Sequence, residues 1–183
     1  MGLFDIFKKK EVAPEYDVTD LKVSDIREGF VFDYDMMTWE VVEEYEYDWG
    51  NGNYSYEFKV TDGNQVRYLA MEDGDTLFLA MTKKLKIREI AEDLPEQIVK
   101  NEKPGTKITF DGCDYFMELE SPGYMRAVSS EDWNEIISWS YEDKAGKNIL
   151  TLVRLDDFAF DASVGKRVEE YEITNILPVT GKK

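Results

Sequence analysis

From Leu21 onward the apolar side chains return at every second position, in short runs separated by turn residues: Phe30/Phe32/Tyr34, Trp39/Val41, Tyr45/Tyr47/Trp49, Tyr54/Tyr56/Phe58/Val60 and Leu77/Leu79. A strand points successive side chains to opposite faces, so this period predicts antiparallel strands with one face buried. The most explicit case is YEYDWGNGNYSYEFKV at 45–60, where Asn51-Gly52 suits the centre of a type I′ hairpin turn. A two-residue turn there predicts Trp49 opposite Tyr54, Tyr47 opposite Tyr56 and Tyr45 opposite Phe58, all on one face. Glu44, Glu46, Asp48, Ser55, Glu57 and Lys59 then share the other face, toward water.

Two readings of that aromatic face stand. It is the inner face of a core, or Tyr47, Trp49, Tyr54 and Tyr56 form a contact surface for a partner. Tyrosine favours the second to a degree, because each buried hydroxyl left without a partner costs about 1–3 kcal/mol.

The pattern recurs. GFVFDYDMMTWEV from Gly29 matches GTKITFDGCDYFMEL from Gly105 at one constant offset, pairing Phe32 with Ile108, Tyr34 with Phe110 and Asp35 with Asp111. At a larger offset, YEFKVTDGNQVRYLA matches WSYEDKAGKNILTLV, pairing Phe58 with Tyr141, Gly63 with Gly146, Val66 with Ile149 and Leu69 with Leu152. The extra residues of the second copy are expected near SSEDWNE at 129–135. Between the copies, Asp93 is a candidate N-cap with Pro95 in the first turn, Glu96 completing a capping box and Pro104-Gly105 ending the segment.

These signals predict a mainly β chain of two tandem small antiparallel β-rolls or open barrels, joined by a short helix and packed face to face. The expected boundaries are 1–20 for an N-terminal tail and linker, 21–92 for the first repeat and 93–104 for the helix. The second repeat covers 105–178, and 179–183 form a tail.

With 183 residues, 43% of them hydrophobic, the chain has ample material for a core. The formal charge of −17 and pI near 4.4 repel phosphate backbones, so no nucleic-acid partner is expected. Histidine is absent, which excludes a Ser-His-Asp triad, a histidine base and histidine-ligated zinc. The single Cys113 allows no internal disulfide, and its neighbours Asp111 and Asp114 disfavour the thiolate a nucleophile needs. Glu72-Asp73-Gly74-Asp75 and Asp156-Asp157 fit no calcium loop, and no metal site, cofactor or catalytic residue is assigned.

Two basic features remain. In TKKLKIREI, Lys84, Lys86 and Arg88 recur at period two opposite Leu85 and Ile87, which predicts a charged edge strand. An acidic run at Glu169–Glu172 is its expected counterpart, and the two complementary faces would dock the repeats. At the N-terminus, Leu3, Phe4, Ile6 and Phe7 precede Lys8, Lys9 and Lys10, a short apolar plug with a basic collar suited to an anionic membrane or a partner protein. No stretch is apolar enough for a transmembrane helix, and MGLFDIFKKK has its charges in the wrong order for a secretory signal.

The opening MGLFDIFKKK, the glycine turn opening a strand, Tyr54-Ser55-Tyr56-Glu57-Phe58 and its counterpart Trp139-Ser140-Tyr141-Glu142, and the acidic Glu-Asp-Gly together resemble the bacterial family of domain of unknown function 4178. The resemblance covers about residues 21–177 as two copies, and Tyr54 departs from the family's tryptophan at the start of that strand. It implies no activity and no functional residues; the neighbourhood of membrane-stress genes implies a membrane-associated accessory role. The expectation is therefore a cytoplasmic, non-enzymatic interaction scaffold with a protein partner, peripheral at the inner face of the membrane through its N-terminus. The alternative is a small-molecule binding protein or enzyme with a carboxylate/tyrosine site between the repeats.

Overall fold

A computed structural model describes residues 20–179. The strands that the alternation predicts are all present: β1 (Phe30–Tyr34), β2 (Met37–Asp48), β3 (Tyr54–Thr61), β4 (Val66–Asp73) and β5 (Leu77–Leu85). Two helices follow, α1 (Ile87–Ile90) and α2 (Leu94–Asn101). The second run is β6 (Lys107–Phe110), β7 (Cys113–Ala127), β8 (Asn134–Glu142), β9 (Asn148–Arg154) and β10 (Phe160–Arg167), with β11 (Thr174–Pro178) last. The protein is mainly β, as the sequence predicts.

The two runs do not pack face to face. They join edge to edge into one antiparallel sheet, in the order β11-β1-β2-β3-β4-β5-β10-β9-β8-β7-β6. A further pairing of β2 with β7, from Tyr45 opposite Ala127 to Asp48 opposite Tyr124, brings the sheet round into a partly closed ring. Edge pairing is the outcome because an open five-stranded meander leaves two rows of unpaired backbone groups, and each run satisfies the other's.

Besides β3 and β8, with which they pair along much of their length, β2 and β7 each serve two further neighbours in turn. The first half of β2 pairs with β1 and its last residues with β7; the first residues of β7 pair with β6 and its last with β2. Each strand changes register at a bulge, between Val41 and Glu43 in β2 and between Met117 and Leu119 in β7. A bulge bends a strand and raises its twist, which lets one strand leave the ring and run on into an outer flap.

Outside the ring lie two hydrophobic cores. In the first, Phe58, Val60, Leu69, Met71, Leu79 and Met81 meet Phe30, Phe32, Trp39 and Val41, with Val23, Ile26, Val168 and Ile173 closing the cluster. In the second, Trp139, Tyr141, Leu150, Leu152 and Ala162 meet Ile108, Tyr115 and the helical residues Ile87, Leu94 and Ile98. The Trp139 indole donates to Glu120 at 2.7 Å and the Tyr141 hydroxyl to the Gly105 carbonyl at 2.8 Å, so both polar tips are satisfied.

Three local expectations are corrected. Phe58 lies beside Leu69 and Trp139 beside Leu152, so Phe58 corresponds in place to Trp139 and not to Tyr141; part of the extra length of the second run sits in the β8–β9 turn. α2 has Asp93 at its N-cap and Pro95 in its first turn, but no capping box: Glu96 instead forms a two-pronged ion pair with Arg88 of α1. TKKLKIREI is not an edge strand. β5 lies between β4 and β10, the chain turns helical at Ile87, and Glu170–Glu172 forms a 3-10 turn. Lys84, Lys86 and Arg88 therefore share no face: Lys86 caps α1, Arg88 pairs with Glu96, and Lys84 turns into the ring.

Candidate functional site

The hairpin at 45–60 is where the structure departs furthest from the sequence reading. Gly50 (φ +79°) is an extra residue: the Trp49 N–H donates to the Asn53 carbonyl and the Asn53 N–H to the Gly50 carbonyl, so Trp49 and Gly50 together oppose Asn53. The Gly50 N–H turns instead to the Asp48 carboxylate at 2.8 Å. The register slips by one, with Tyr47 opposite Ser55, Tyr45 opposite Glu57 and Asp48 opposite Tyr54. Because the side-chain period is two, that slip sends the two strands' aromatics to opposite faces. Cross-strand pairing of Trp49 with Tyr54, Tyr47 with Tyr56 and Tyr45 with Phe58 does not occur.

Of the four residues expected to form one contact surface, Tyr47 and Trp49 turn into the ring and stack on each other, centroids 5.6 Å apart and planes within 12°. The Trp49 indole is pinned by a 2.8 Å hydrogen bond to Ser55. Tyr56 backs the wall from the other side, its ring stacked on Phe58 in the first core. Tyr54 is exposed. The N-terminal candidates Leu3, Phe4, Ile6, Phe7, Lys8, Lys9 and Lys10 lie outside the described residues.

What the ring encloses follows from the size of the inward residues. A small eight-stranded barrel is normally filled by its own side chains. Here the inward positions carry Ala70, Ala80, Ser138, Ser140, Thr151 and Ser163, and the space they leave is a cavity of about 530 Å³. One part of its wall is apolar and aromatic, where Tyr47, Trp49 and Val153 line it, packed in a cluster with Ile136, Tyr45, Met125 and Leu155.

Against that wall stands a charged group. The Lys84 ammonium lies 3.0 Å from Glu57 and 3.8 Å from Asp161, and 5.0 Å from the centre of the Tyr68 ring. The Tyr47 hydroxyl donates to the same Glu57 carboxylate at 3.4 Å. Burial works against the Lys84 charge, but Glu57, Asp161 and Tyr68 outweigh it and hold the ammonium above its ordinary range. Burial, then the negative charges of Glu57 and Asp161, push the Tyr47 hydroxyl well up, so it remains a donor.

The sequence reading does not offer Glu57 or Asp161 as site residues, and it singles out Lys84 only as part of a charged edge strand. Glu57 and Lys84 both read as solvent-facing, Glu57 from the register of a two-residue turn, which the structure shifts by one, and Lys84 from the edge-strand pattern. The signal that was available is small-residue alternation: Ser138-Trp139-Ser140-Tyr141 alternates a small hydroxyl with a large aromatic, which marks one packed face and one hollow one.

Of the two acidic runs, Glu72 of the first lies on the cavity lining and Asp156-Asp157 is engaged locally. Asp157 accepts from Arg154 at 2.8 Å, and among the described residues no group of three Cys, Asp or Glu side chains is placed to hold a metal ion. Among the same residues no helix is long and apolar enough to cross a membrane.

Ring, outer flaps and central cavity define an antiparallel, mainly β protein with a partly closed barrel around a polar-walled hollow. A family model for domain of unknown function (DUF4178) matches residues 27–170, and the chain belongs to that family. An uncharacterised protein of Aquifex aeolicus (strain VF5) is 24% identical over 173 residues, which cover 94% of each chain. No solved structure matches.

Proposed function

We propose that the protein is a small-molecule binding protein whose site is the hollow of the ring. The observation that carries this reading is the cavity of about 530 Å³, within the range of sites for small ligands, lined by an aromatic wall and a few convergent polar groups. Side chains as small as Ala70, Ala80 and Ser163 leave a void that larger aliphatic residues would fill with a gain in packing. A retained hollow bordered by Tyr47, Glu57 and Lys84 is better accounted for by an occupant than by stability. The cavity is lined by strands of both runs, which supports the carboxylate/tyrosine alternative that the sequence offers.

A thermal-shift screen of metabolites tests this, paired with a filled variant, Ala80→Leu plus Ser163→Leu. A ligand at 100 times its dissociation constant raises stability by about 2.7 kcal/mol. The shift is expected in the native protein and absent from the filled one; an equal response in both overturns the reading.

The fold also supports reading the chain as two tandem copies. Matching bulges in β2 and β7, and type I′ turns at Asp35-Met36 and Asp111-Gly112, recur at the constant offset seen in the sequence. The apolar-then-basic N-terminus favours an additional tether to an anionic membrane surface on the cytoplasmic side. Liposome sedimentation with and without residues 1–10 tests it, equal sedimentation overturning the tether.

A further inference from the structure

We propose that the occupant of the ring is a small organic cation, a protonated amine carried on a flat apolar body. This rests on the reading of the cavity as a binding site and names the chemistry of its ligand.

The charges around the hollow decide the sign. Glu57 and Asp161 face it from β3 and β10, and Glu72 and Glu142 stand on its lining. Lys84 is the one basic side chain among the described lining residues, and its ammonium is already engaged, 3.0 Å from Glu57 and 3.8 Å from Asp161. The Lys84–Glu57–Asp161 group therefore carries one net negative charge. An incoming anion would meet an ammonium shielded by two carboxylates; an incoming cation meets Asp161, which Lys84 approaches through one oxygen only, at 3.8 Å. Glu120 borders the cavity too, but its carboxylate is taken by the Trp139 indole on the outer side. Arg167 lies over the Phe78 ring, 4.9 Å from its centre, and is not part of the lining. The field of the whole chain, at −17, attracts cations to the opening.

The shape decides the rest. Tyr47 and Trp49 present nearly parallel rings, Trp49 fixed by Ser55, and Tyr47 reaches Glu57 through its hydroxyl. Aromatic faces and carboxylates side by side suit an ammonium attached to a planar group: the face takes the ring or the edge of the cation, and the carboxylate takes its N–H donors. Ser138, Ser140, Thr151 and Ser163 line the remaining wall with hydroxyls that accept or donate as the ligand requires.

The test is calorimetric titration of the full chain at neutral pH with three matched probes: 2-phenylethylamine, 2-phenylethanol and 3-phenylpropionate. The amine is expected to bind about tenfold more tightly than the alcohol, and the carboxylate most weakly. Asp161→Asn should remove the amine's advantage and leave the alcohol unchanged. If that variant does not fold, the salt dependence of the native protein serves: raising the salt should weaken the amine and not the alcohol. Equal binding of amine and alcohol, or a preference for the carboxylate, overturns the cation and leaves the cavity reading standing. No binding of any probe, or undiminished binding to the filled Ala80→Leu plus Ser163→Leu variant, overturns both.

Discussion

Gly165 of β10 lies against Met81 of β5 so closely that a Cβ on the glycine would sit 2.1 Å from the Met81 carbonyl oxygen and 2.6 Å from the Thr82 Cα. Both obstacles are backbone, at the seam where the first run of strands joins the second. The other seam has the same device: a Cβ on Gly123 of β7 would meet the Asp48 carbonyl at 2.6 Å and the Trp49 ring at 2.7 Å. Gly165→Ala is therefore expected to cost at least about 1–3 kcal/mol, as overpacking does. Gly74→Ala, whose nearest such contact is 4.0 Å away, should change stability by less than about 0.5 kcal/mol. Urea unfolding of the two variants checks the contrast.

The Lys84 ammonium lies between two carboxylates, 3.0 Å from Glu57 and 3.8 Å from Asp161, and its removal leaves both without that counter-ion. Breaking a fully buried pair costs about 3–5 kcal/mol, and the 28% exposure of the Lys84 side chain lowers that to about 1–3 for Lys84→Met. Adding Glu57→Leu should recover most of the loss, giving a double-mutant coupling above about 1 kcal/mol. Additive losses in urea titrations would mean the three groups do not act together.

The hairpin register makes the two tyrosines beside the turn unequal. Tyr47, 9% exposed, is packed among Ile136 and Val153, whereas Tyr54 is 42% exposed. Tyr47→Ala is expected to cost about 2–4 kcal/mol and Tyr54→Ala less than about 1. Paired opposite each other on one face, as a two-residue turn would place their neighbours, the two strands' tyrosines would give similar losses in thermal melts.

Acid should weaken the protein through its turns. Asp62 accepts the backbone N–H groups of Gln65 and Asn64, and Asp143 those of Asn148 and Lys147, which holds both carboxyls below their ordinary range. A folded-state value below the unfolded one contributes stability that is fully present above about pH 4 and is lost as pH falls through the folded value. The melting temperature should decline below about pH 4, and less steeply in an Asp62→Asn plus Asp143→Asn variant. Lys84 has the opposite sign. Its raised value keeps its contribution intact at neutral pH, to be lost only as pH climbs above 10.5.

Particular residues show how far the sequence reaches. Trp39, Val41, Phe58 and Leu69 are legible as core because a strand's side-chain period is local and needs only neighbours along the chain. α2 is legible from Asp93 and Pro95 for the same reason. The candidate site was half legible: Tyr47 and Trp49 stand out, but Glu57 and Lys84 read as solvent-facing. One glycine accounts for Glu57. Gly50 takes an extra position in the turn, and a single-residue slip exchanges every inward side chain for an outward one. Lys84 was misread because nothing local says that β5 finds a neighbour in β10, strands apart in sequence.

The sequence by itself determined the strands, their buried face, the connecting helix and a chemistry without histidine or paired cysteines, since all of these follow from composition and near-neighbour periodicity. Tertiary structure alone decided that two runs of strands share one ring, that the ring is hollow, and that Lys84, Glu57, Asp161 and Tyr47 meet inside it. Ring closure is a matter of which distant edges pair, through β5 with β10 and β2 with β7. Backbone hydrogen bonding is identical for any two edges, so the choice is made by bulges, close-packed glycines and the total volume of the side chains turned inward.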